Sequence, residues 1–482
     1  MKKVYHILFI FTTVCLWSSC ANLDLDPLDT GSRDSWYSSE DEIQRSIGGL
    51  YRTVFFTLNG NESTIDYSPW SDDNQSRASL NFITGGTING ESDQVKKRWQ
   101  NGYKAIARAN ILLEKLEDAN SVGISEEKKQ LYRAQTLFVR ATQYAILTSL
   151  FGDVVYIDKE ISIDEAFEMG RTDREEVMEN VYKDLDEAAH YLPETYGTQR
   201  EFATKGAAYA IKARYALYNE DWELAAQAAK KCMDLQIYEL HPDFEELFIA
   251  STHHAKENIL SWPRSVELKN YLDVGAAMSY CPRNRGGYAS EYPSWELFCS
   301  FLCTDGLPID ESPLFDPQNP FKNRDPRCTA TIVEFGTEHV GVIYNPNPNI
   351  SRVWSAIAGK EITNLDCKTG SQYASYNGLL RKKGVDELWI NDGTFKVDPD
   401  FVFIRYGEVL LTYAEAKIEA NDIDQSVLDA INQVRARAYK KDYAAATGYP
   451  KVTTQDRDKL RQIVRIERRM ELAFEGSIRY MD

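Results

Sequence analysis

Histidine is scarce in this chain, with six in 482 residues, and the only close grouping is the adjacent pair His253-His254. Neighbouring histidines cannot face one metal from a single helix turn, so the pair is read as a solvated loop and no metal site is expected. Cysteine is sparse and badly spaced for chemistry. Apart from Cys15 and Cys20, the six others are Cys232, Cys281, Cys299, Cys303, Cys328 and Cys367, with no C-x-x-C among them. That spacing excludes a disulfide framework and a zinc ribbon. Cys299 and Cys303, one helical turn apart, are read as half-buried packing residues. Nucleophile elbows, phosphate loops, H-E-x-x-H and the dinucleotide fingerprint are all missing, so no cofactor is expected and no enzyme is read. Two carboxylates about 5 to 9.5 Å apart would suffice for a glycosidase, and nothing marks such a pair. Positive charge is also in deficit: 55 Lys and Arg against 73 Asp and Glu leave a net charge of −18. A surface of that sign repels nucleic acid and anionic lipid and disfavours both as partners. Long apolar runs are lacking after residue 17; Tyr144 to Leu150 is broken within a few positions, so no later segment can cross a membrane.

One apolar run is present, at the start. Lys2 and Lys3 precede the apolar stretch Val4 to Trp17, and Ser18-Ser19-Cys20 follows. This is the layout of a secretory signal, residues 1–19, too short to span a bilayer comfortably. A cysteine directly after two small residues makes Cys20 the expected lipidation site, though Trp17 stands where an aliphatic residue is usual. Residues 20–38 are polar and acidic, with Asp24, Asp26, Pro27 and Asp29, and suit a tether.

Helical spacing dominates residues 39–236. Ser39-Glu40-Asp41-Glu42 opens a helix through Ile43, Ile47, Leu50, Tyr51 and Val54. A loop rich in Gly, Ser, Asn and Asp occupies 59–93 and carries Tyr67, Trp70 and Phe82. Period-3.6 patterns return over Trp99–Leu116 and Leu131–Thr148, the second closed by Phe151-Gly152-Asp153 as a glycine cap before an extended Val154–Ile157. Thr172-Asp173-Arg174-Glu175 has a capping-box pattern. Lys205–Tyr218 and Trp222–Leu235 flank the turn Asn219-Glu220-Asp221, an alanine-rich pair that resembles a tetratricopeptide unit and implies stacked neighbours. Residues 237–400 are rich in glycine, proline and aromatics, with β-like runs at Ile332-Val333 and Val340–Tyr344, and read as an irregular insertion. Helix returns in 401–482, at Arg405–Lys417, Val427–Tyr439 and Arg457–Phe474. The fold expected is mainly α: tetratricopeptide-like hairpins forming a scaffold, with a large loop-rich insertion carrying short β segments.

Several of these segments together resemble the SusD/RagB family, surface glycan-binding lipoproteins of Bacteroidota nutrient-uptake systems. The resemblance rests on Phe403-Ile404-Arg405-Tyr406-Gly407-Glu408-Val409-Leu410-Leu411-Thr412-Tyr413-Ala414-Glu415-Ala416, on Ile431 to Ala438, and on Glu467-Arg468-Arg469-Met470-Glu471-Leu472-Ala473-Phe474-Glu475-Gly476. Thr304-Asp305-Gly306-Leu307-Pro308-Ile309, Arg324-Asp325-Pro326-Arg327 and Phe151 to Val155 are similar to the family's other motifs, with Val155 where proline is frequent. The family continues beyond the point where this chain stops at Tyr480-Met481-Asp482, so the C-terminal segment is read as truncated; Ser477 stands where histidine is common. The charged residues of these motifs are expected to hold structure, with Asp305, Asp325 and Arg327 fastening the insertion to the scaffold.

Sugar recognition needs flat aromatic faces plus planar amides and carboxylates on loops held by a rigid scaffold. Trp70, Asp72, Asp73 and Asn74 on the first long loop fit, as does Tyr288 after Arg283-Asn284-Arg285-Gly286-Gly287. Trp295 begins a short helix with Leu297 and Phe298 and is read as core. The resemblance implies an outer-membrane lipoprotein that binds oligosaccharide and caps a SusC-like, TonB-dependent transporter. A peptide-binding subunit of that transporter class and a surface glycosidase remain as alternatives.

Overall fold

A computed structural model describes residues 36–57, 70–77, 83–117, 123–197, 201–385, 393–476 and 478–482. The signal segment, Cys20, most of the tether, Tyr67, Phe82 and Ser477 lie outside the described residues. Helix α1 (Glu40–Leu50) starts in a full capping box, Ser39 accepting from the Glu42 N–H while the Glu42 side chain reaches back. It ends before Val54, which lies in a short 3₁₀ turn, Thr53–Phe55. Strand β1 is Asn74–Ser76. Helices α2 (Asp93–Glu117) and α3 (Glu126–Phe151) pack side by side. Gly102 makes this approach possible, because a Cβ there would sit 2.9 Å from the Leu147 side chain.

Every residue of α3 from Ala134 to Thr148 is buried, although its spacing reads as a one-faced helix. Its polar side chains are buried with partners: Arg140 forks onto Asp184 at 2.8 and 2.9 Å, and Gln143 accepts from Arg98 at 2.6 Å. Gly152, at φ +67, closes the helix. Val154 then bridges to Thr172 through a pair of backbone hydrogen bonds. That bridge removes Thr172 from the expected capping box. After the short α4 (Ile163–Glu168), α5 (Arg174–Tyr191) has Asp173 at its cap with no side-chain cap bond, and the Arg174 N–H donates instead to Asp153 Oδ1 at 3.0 Å.

The alanine-rich hairpin forms as expected, α6 (Lys205–Tyr218) against α7 (Trp222–Asp234). Asp221 in its turn accepts from the Tyr182 hydroxyl at 2.6 Å, tying the hairpin to α5. Beyond it come β2 (Asn258–Trp262), α8 (Val274–Tyr280), β3 (Glu291–Pro293), α9 (Trp295–Ser300) and α10 (Pro326–Thr331). Strands β4 (Thr337–His339), β5 (Val342–Tyr344), β6 (Arg352–Ser355) and β7 (Lys360–Thr363) make one antiparallel sheet in that order. Then β8 (Phe401–Arg405) leads into α11 (Tyr406–Glu419), α12 (Gln425–Ala438), α13 (Arg457–Leu472) and α14 (Ile478–Met481).

Strands β2 and β8 pair antiparallel, Leu260 opposite Ile404 and Trp262 opposite Phe401. The irregular region is thus closed at its base, and α11 lies on the α6–α7 hairpin through Ala216, Leu217, Ala225 and Ala416. Leu297, Phe298, Phe301, Ile332 and Leu379 bury against Met470 and Phe474, fastening the irregular region to the end of α13. Full burial of such side chains contributes about 1.5–3 kcal/mol each.

Between these layers runs a buried ion network. Arg405 contacts Glu257 at 2.5 Å, Glu471 at 2.8 Å and Glu475 at 2.5 Å. Arg327 reaches Asp325 at 2.9 Å, Glu467 at 2.7 Å and Glu471 at 3.1 Å. Arg437 meets Glu257 and Glu471, Arg435 meets Glu467, and Lys383 meets Glu475. Arg327, Arg405, Arg435, Arg437 and Lys383 therefore face Glu257, Asp325, Glu467, Glu471 and Glu475, and the charges balance. Asp305 takes no part, contrary to expectation: its carboxylate accepts from the Leu307 N–H and the Ser312 hydroxyl within its own loop.

Gly407 borders the network. A Cβ there would press on the Arg405 guanidinium, 3.0 Å from Glu257 Oε1 and 3.2 Å from Glu471 Oε1. These atoms are pinned by one another and cannot swing aside. Gly407→Ala is expected to destabilise the fold by about 1–3 kcal/mol, although alanine is the better helix former. A lower urea midpoint would show it, and an unchanged or higher one would refute the crowding.

Two smaller readings change. Cys299 is exposed, whereas Cys303 is buried. His253 is not a freely solvated residue, its Nδ1 lying 2.6 Å from Asp400 Oδ1.

Candidate functional site

The first long loop and the segment after Gly287 meet. Strands β1 and β3 pair antiparallel, with Asn74 opposite Pro293 and Ser76 opposite Glu291. The expected polar contacts on β1's side are nonetheless engaged within the protein. Asp72 receives both arms of Arg479 at 2.8 and 2.7 Å, and that hydrogen-bonded guanidinium lowers its carboxyl below the ordinary aspartate range. Asp73 is fully buried and takes Arg469 Nε at 2.9 Å. Burial raises its carboxyl despite the pull of Arg469. Asn74 donates to Glu291 Oε2 at 2.7 Å. Trp70 packs partly buried on the main core, edge-on to Tyr480 at 5.9 Å. It lines a cleft of about 490 Å³ with Ile88, Trp99, Phe151 and Tyr480.

Tyr288, in contrast, is 41% exposed, and it is accompanied. Trp295 is 40% exposed at the start of α9, with its edge on Phe298 and its indole N–H donating to Asn377 O at 3.2 Å. It is a surface ring, not the core residue its helical spacing suggests. Tyr373 and Tyr376, at 51% and 60%, complete the group. Neither stands out by spacing, yet Gln372-Tyr373-Ala374-Ser375-Tyr376-Asn377 has the aromatic-and-amide composition that singles out residues 67–74.

The loops that carry these rings are fixed by hydrogen bonds. The Tyr288 N–H donates to Met278 O at 2.6 Å and the Ser290 N–H to Ser279 O at 2.9 Å, laying this segment along α8. Gly286 makes the preceding turn at φ +82, a conformation that favours glycine. Arg77, just past β1, donates to Tyr288 O at 2.6 Å and also to Tyr373 O, clamping two loops together. Asn377 donates to Gln75 Oε1 at 3.0 Å and Pro293 O at 2.7 Å, anchoring the tyrosine loop on β1 and β3. Beneath, Asp366 accepts from the backbone N–H groups of Arg283 and Asn284 at 2.6 and 3.2 Å. Burial pushes its carboxyl up to about 6.

Three cations surround the rings. Arg77 lies 5.4 Å and Arg283 5.8 Å from the Tyr373 ring centre, and Lys368 Nζ lies 3.5 Å from that of Tyr376. Flat apolar faces, amides and charged donors thus stand together on braced segments, an arrangement suited to binding. Among the described residues no group of three His, Cys, Asp or Glu side chains is placed to hold a metal. The cavity beside His253 and Asp400 is small, about 70 Å³, with room for a few water molecules.

Comparison with known proteins agrees with this architecture along the chain. The SusD family's sequence model matches residues 262–482, and one described as starch-binding and associating with the outer membrane matches residues 23–217. SusD-like protein P2 of Formosa agariphila is 26% identical, the match spanning 98% of this chain and 89% of that one. A SusD-like carbohydrate-binding protein of Bacteroides fragilis superposes with a TM-score of 0.78 at 29% identity, over 93% of this chain and 86% of that one. A laminarin-binding SusD-like protein shares the fold at a TM-score of 0.62 and 20% identity, over 92% and 91%. With matching models over both halves and the helical scaffold in place, the chain belongs to the SusD/RagB family.

Proposed function

We propose that this protein is a cell-surface glycan-binding lipoprotein, anchored through Cys20, that captures oligosaccharide and caps a SusC-like, TonB-dependent transporter. The observation that carries the reading is the set of four exposed rings, Tyr288, Tyr373 and Tyr376 on loops braced by Arg77 and Asn377 and Trp295 at the start of α9. Such rings match the apolar faces of pyranoses, and rigid loops reduce the ordering cost of binding. The names of the Bacteroides fragilis and laminarin-binding relatives support carbohydrate as the ligand. Among the described residues no helix is long and apolar enough to cross a membrane, which accords with anchoring by lipid. Tyr288 stays among the proposed contacts. Trp70 is assigned to the cleft it lines, and Asp72, Asp73 and Asn74 to bracing the loop.

Isothermal titration against a polysaccharide panel is expected to give saturable binding to at least one member, with no new reducing ends. Binding of peptides but no glycan would move the reading to a peptide-binding subunit. Release of reducing ends would make the protein a glycosidase.

A further inference from the structure

We propose that the glycan taken up on this platform is anionic, bearing carboxylate or sulfate groups that Arg77, Arg283 and Lys368 recognise. The inference rests on reading the platform as a sugar site and adds the chemical class of the sugar. Basic side chains are in the minority in this chain, and many of them pair with carboxylates. The three at the platform do not. Among the described residues none of them forms a salt bridge. Arg77 donates only to the carbonyls of Tyr288, Ala289 and Tyr373, Arg283 to that of Gly287, and Lys368 to those of Gln372 and Ala374.

The nearby carboxylates act on two of these cations only at a distance, without a salt bridge, Glu291 on Arg77 and Asp366 on Arg283. Glu291 accepts from Asn74, and Asp366 is buried beneath the backbone of Arg283 and Asn284. Lys368 feels its neighbours: burial and the Arg77 charge both lower its ammonium's pKa. A bound anion would relieve that repulsion. The cations also lie over two of the rings, 3.5 Å from Tyr376 and 5.4 and 5.8 Å from Tyr373, so a sugar reaching those rings meets positive charge. Arginine forks suit carboxylate and sulfate oxygens and gain little from a neutral hydroxyl. The overall charge of −18 does not oppose this at contact, because salt screens charge beyond about 8 Å at physiological ionic strength.

The alternative, in which these side chains only brace loops through carbonyls, predicts no preference for charge. Affinity electrophoresis of the full chain separates the two. The probes are polygalacturonan and its fully methyl-esterified form, a sulfated galactan and its desulfated form, and laminarin as a neutral control. At least tenfold tighter binding to one charged polymer than to its neutralised counterpart is expected, and the favoured pair tells carboxylate from sulfate. Lys368→Gln, at an exposed position, should shrink that preference severalfold without moving the unfolding midpoint. Equal binding to charged and neutralised forms, or binding confined to neutral polymers, would overturn the charge inference and leave glycan binding standing. A Lys368→Gln chain that discriminates as well as the parent would overturn it too. Failure to retain any polymer would overturn the glycan reading itself.

Discussion

Replacing Glu471 by alanine is expected to remove about 3–5 kcal/mol of stability, the cost of leaving a buried ion without its partner. Glu471 is fully buried and touches Arg327, Arg405 and Arg437. Its loss leaves five buried cations facing four carboxylates, Glu257, Asp325, Glu467 and Glu475, with one positive charge uncompensated. Urea unfolding reads the effect directly, and a loss under 1 kcal/mol would show the network to be dispensable. Acid should act in the same sense. Burial works against the charge of Glu471, but Arg437, Arg405 and Arg327 together outweigh it and hold its carboxyl well below the usual carboxylate range. A group with a depressed folded pKa contributes stability above its unfolded value, about 4.3, and loses it as pH falls further. Stability should therefore drop steeply below about pH 4, and less steeply in Glu471→Gln. Asp366 runs the other way, its contribution complete below the ordinary aspartate range and lost as pH rises through about 6.

Exchange of Tyr373 and Tyr376 for alanine together is expected to weaken glycan binding at least tenfold, about 1.4 kcal/mol. Both rings are more than half exposed, so their loss leaves the core untouched and the unfolding midpoint in place. Trp70→Ala should show the reverse pattern. That ring packs on the main core and on Tyr480, so its removal lowers stability while binding at the platform persists. If Trp70→Ala abolished binding and the double tyrosine variant did not, the cleft and not the platform would be the sugar site. The two groups of rings stack on different residues: Trp70 meets Tyr480, and Trp295 meets Phe298.

How far the sequence can be read depends on the range of the interactions involved. The α6–α7 hairpin follows from spacing and a three-residue turn, both local, and its bounds are recovered within a residue. Gly152 as a helix stop is likewise local. The start of α5 is not, because the oxygen that meets the Arg174 N–H belongs to Asp153, on the far side of a β-bridge. Asp73 shows the same limit at the site. An acidic residue in a glycine- and serine-rich loop reads as solvent-facing, and only the arrival of Arg469 from α13 makes it a buried ion pair. Trp295 misleads in the opposite sense, since a helix of six residues can bury Leu297 and Phe298 and still leave its first ring outside. Tyr373 and Tyr376 are legible by composition; their place beside Tyr288 is not, being set by Arg77 and Asn377 across separations of 296 and 302 residues.

The closure of the irregular region by β2 and β8 bears on how specificity could diversify. Its ends are held together by the pairing of Leu260 with Ile404, so its contents do not set the spacing of the scaffold. The entropy of closing a flexible loop grows only with the logarithm of its length, about 0.6 kcal/mol for each doubling. Insertions and deletions in the segments bearing Tyr288, Tyr373 and Tyr376 would thus be cheap for folding so long as the ion network beneath them is kept. Selection could then trade one ligand for another by editing loop length, while the helices that seat the protein stay as they are.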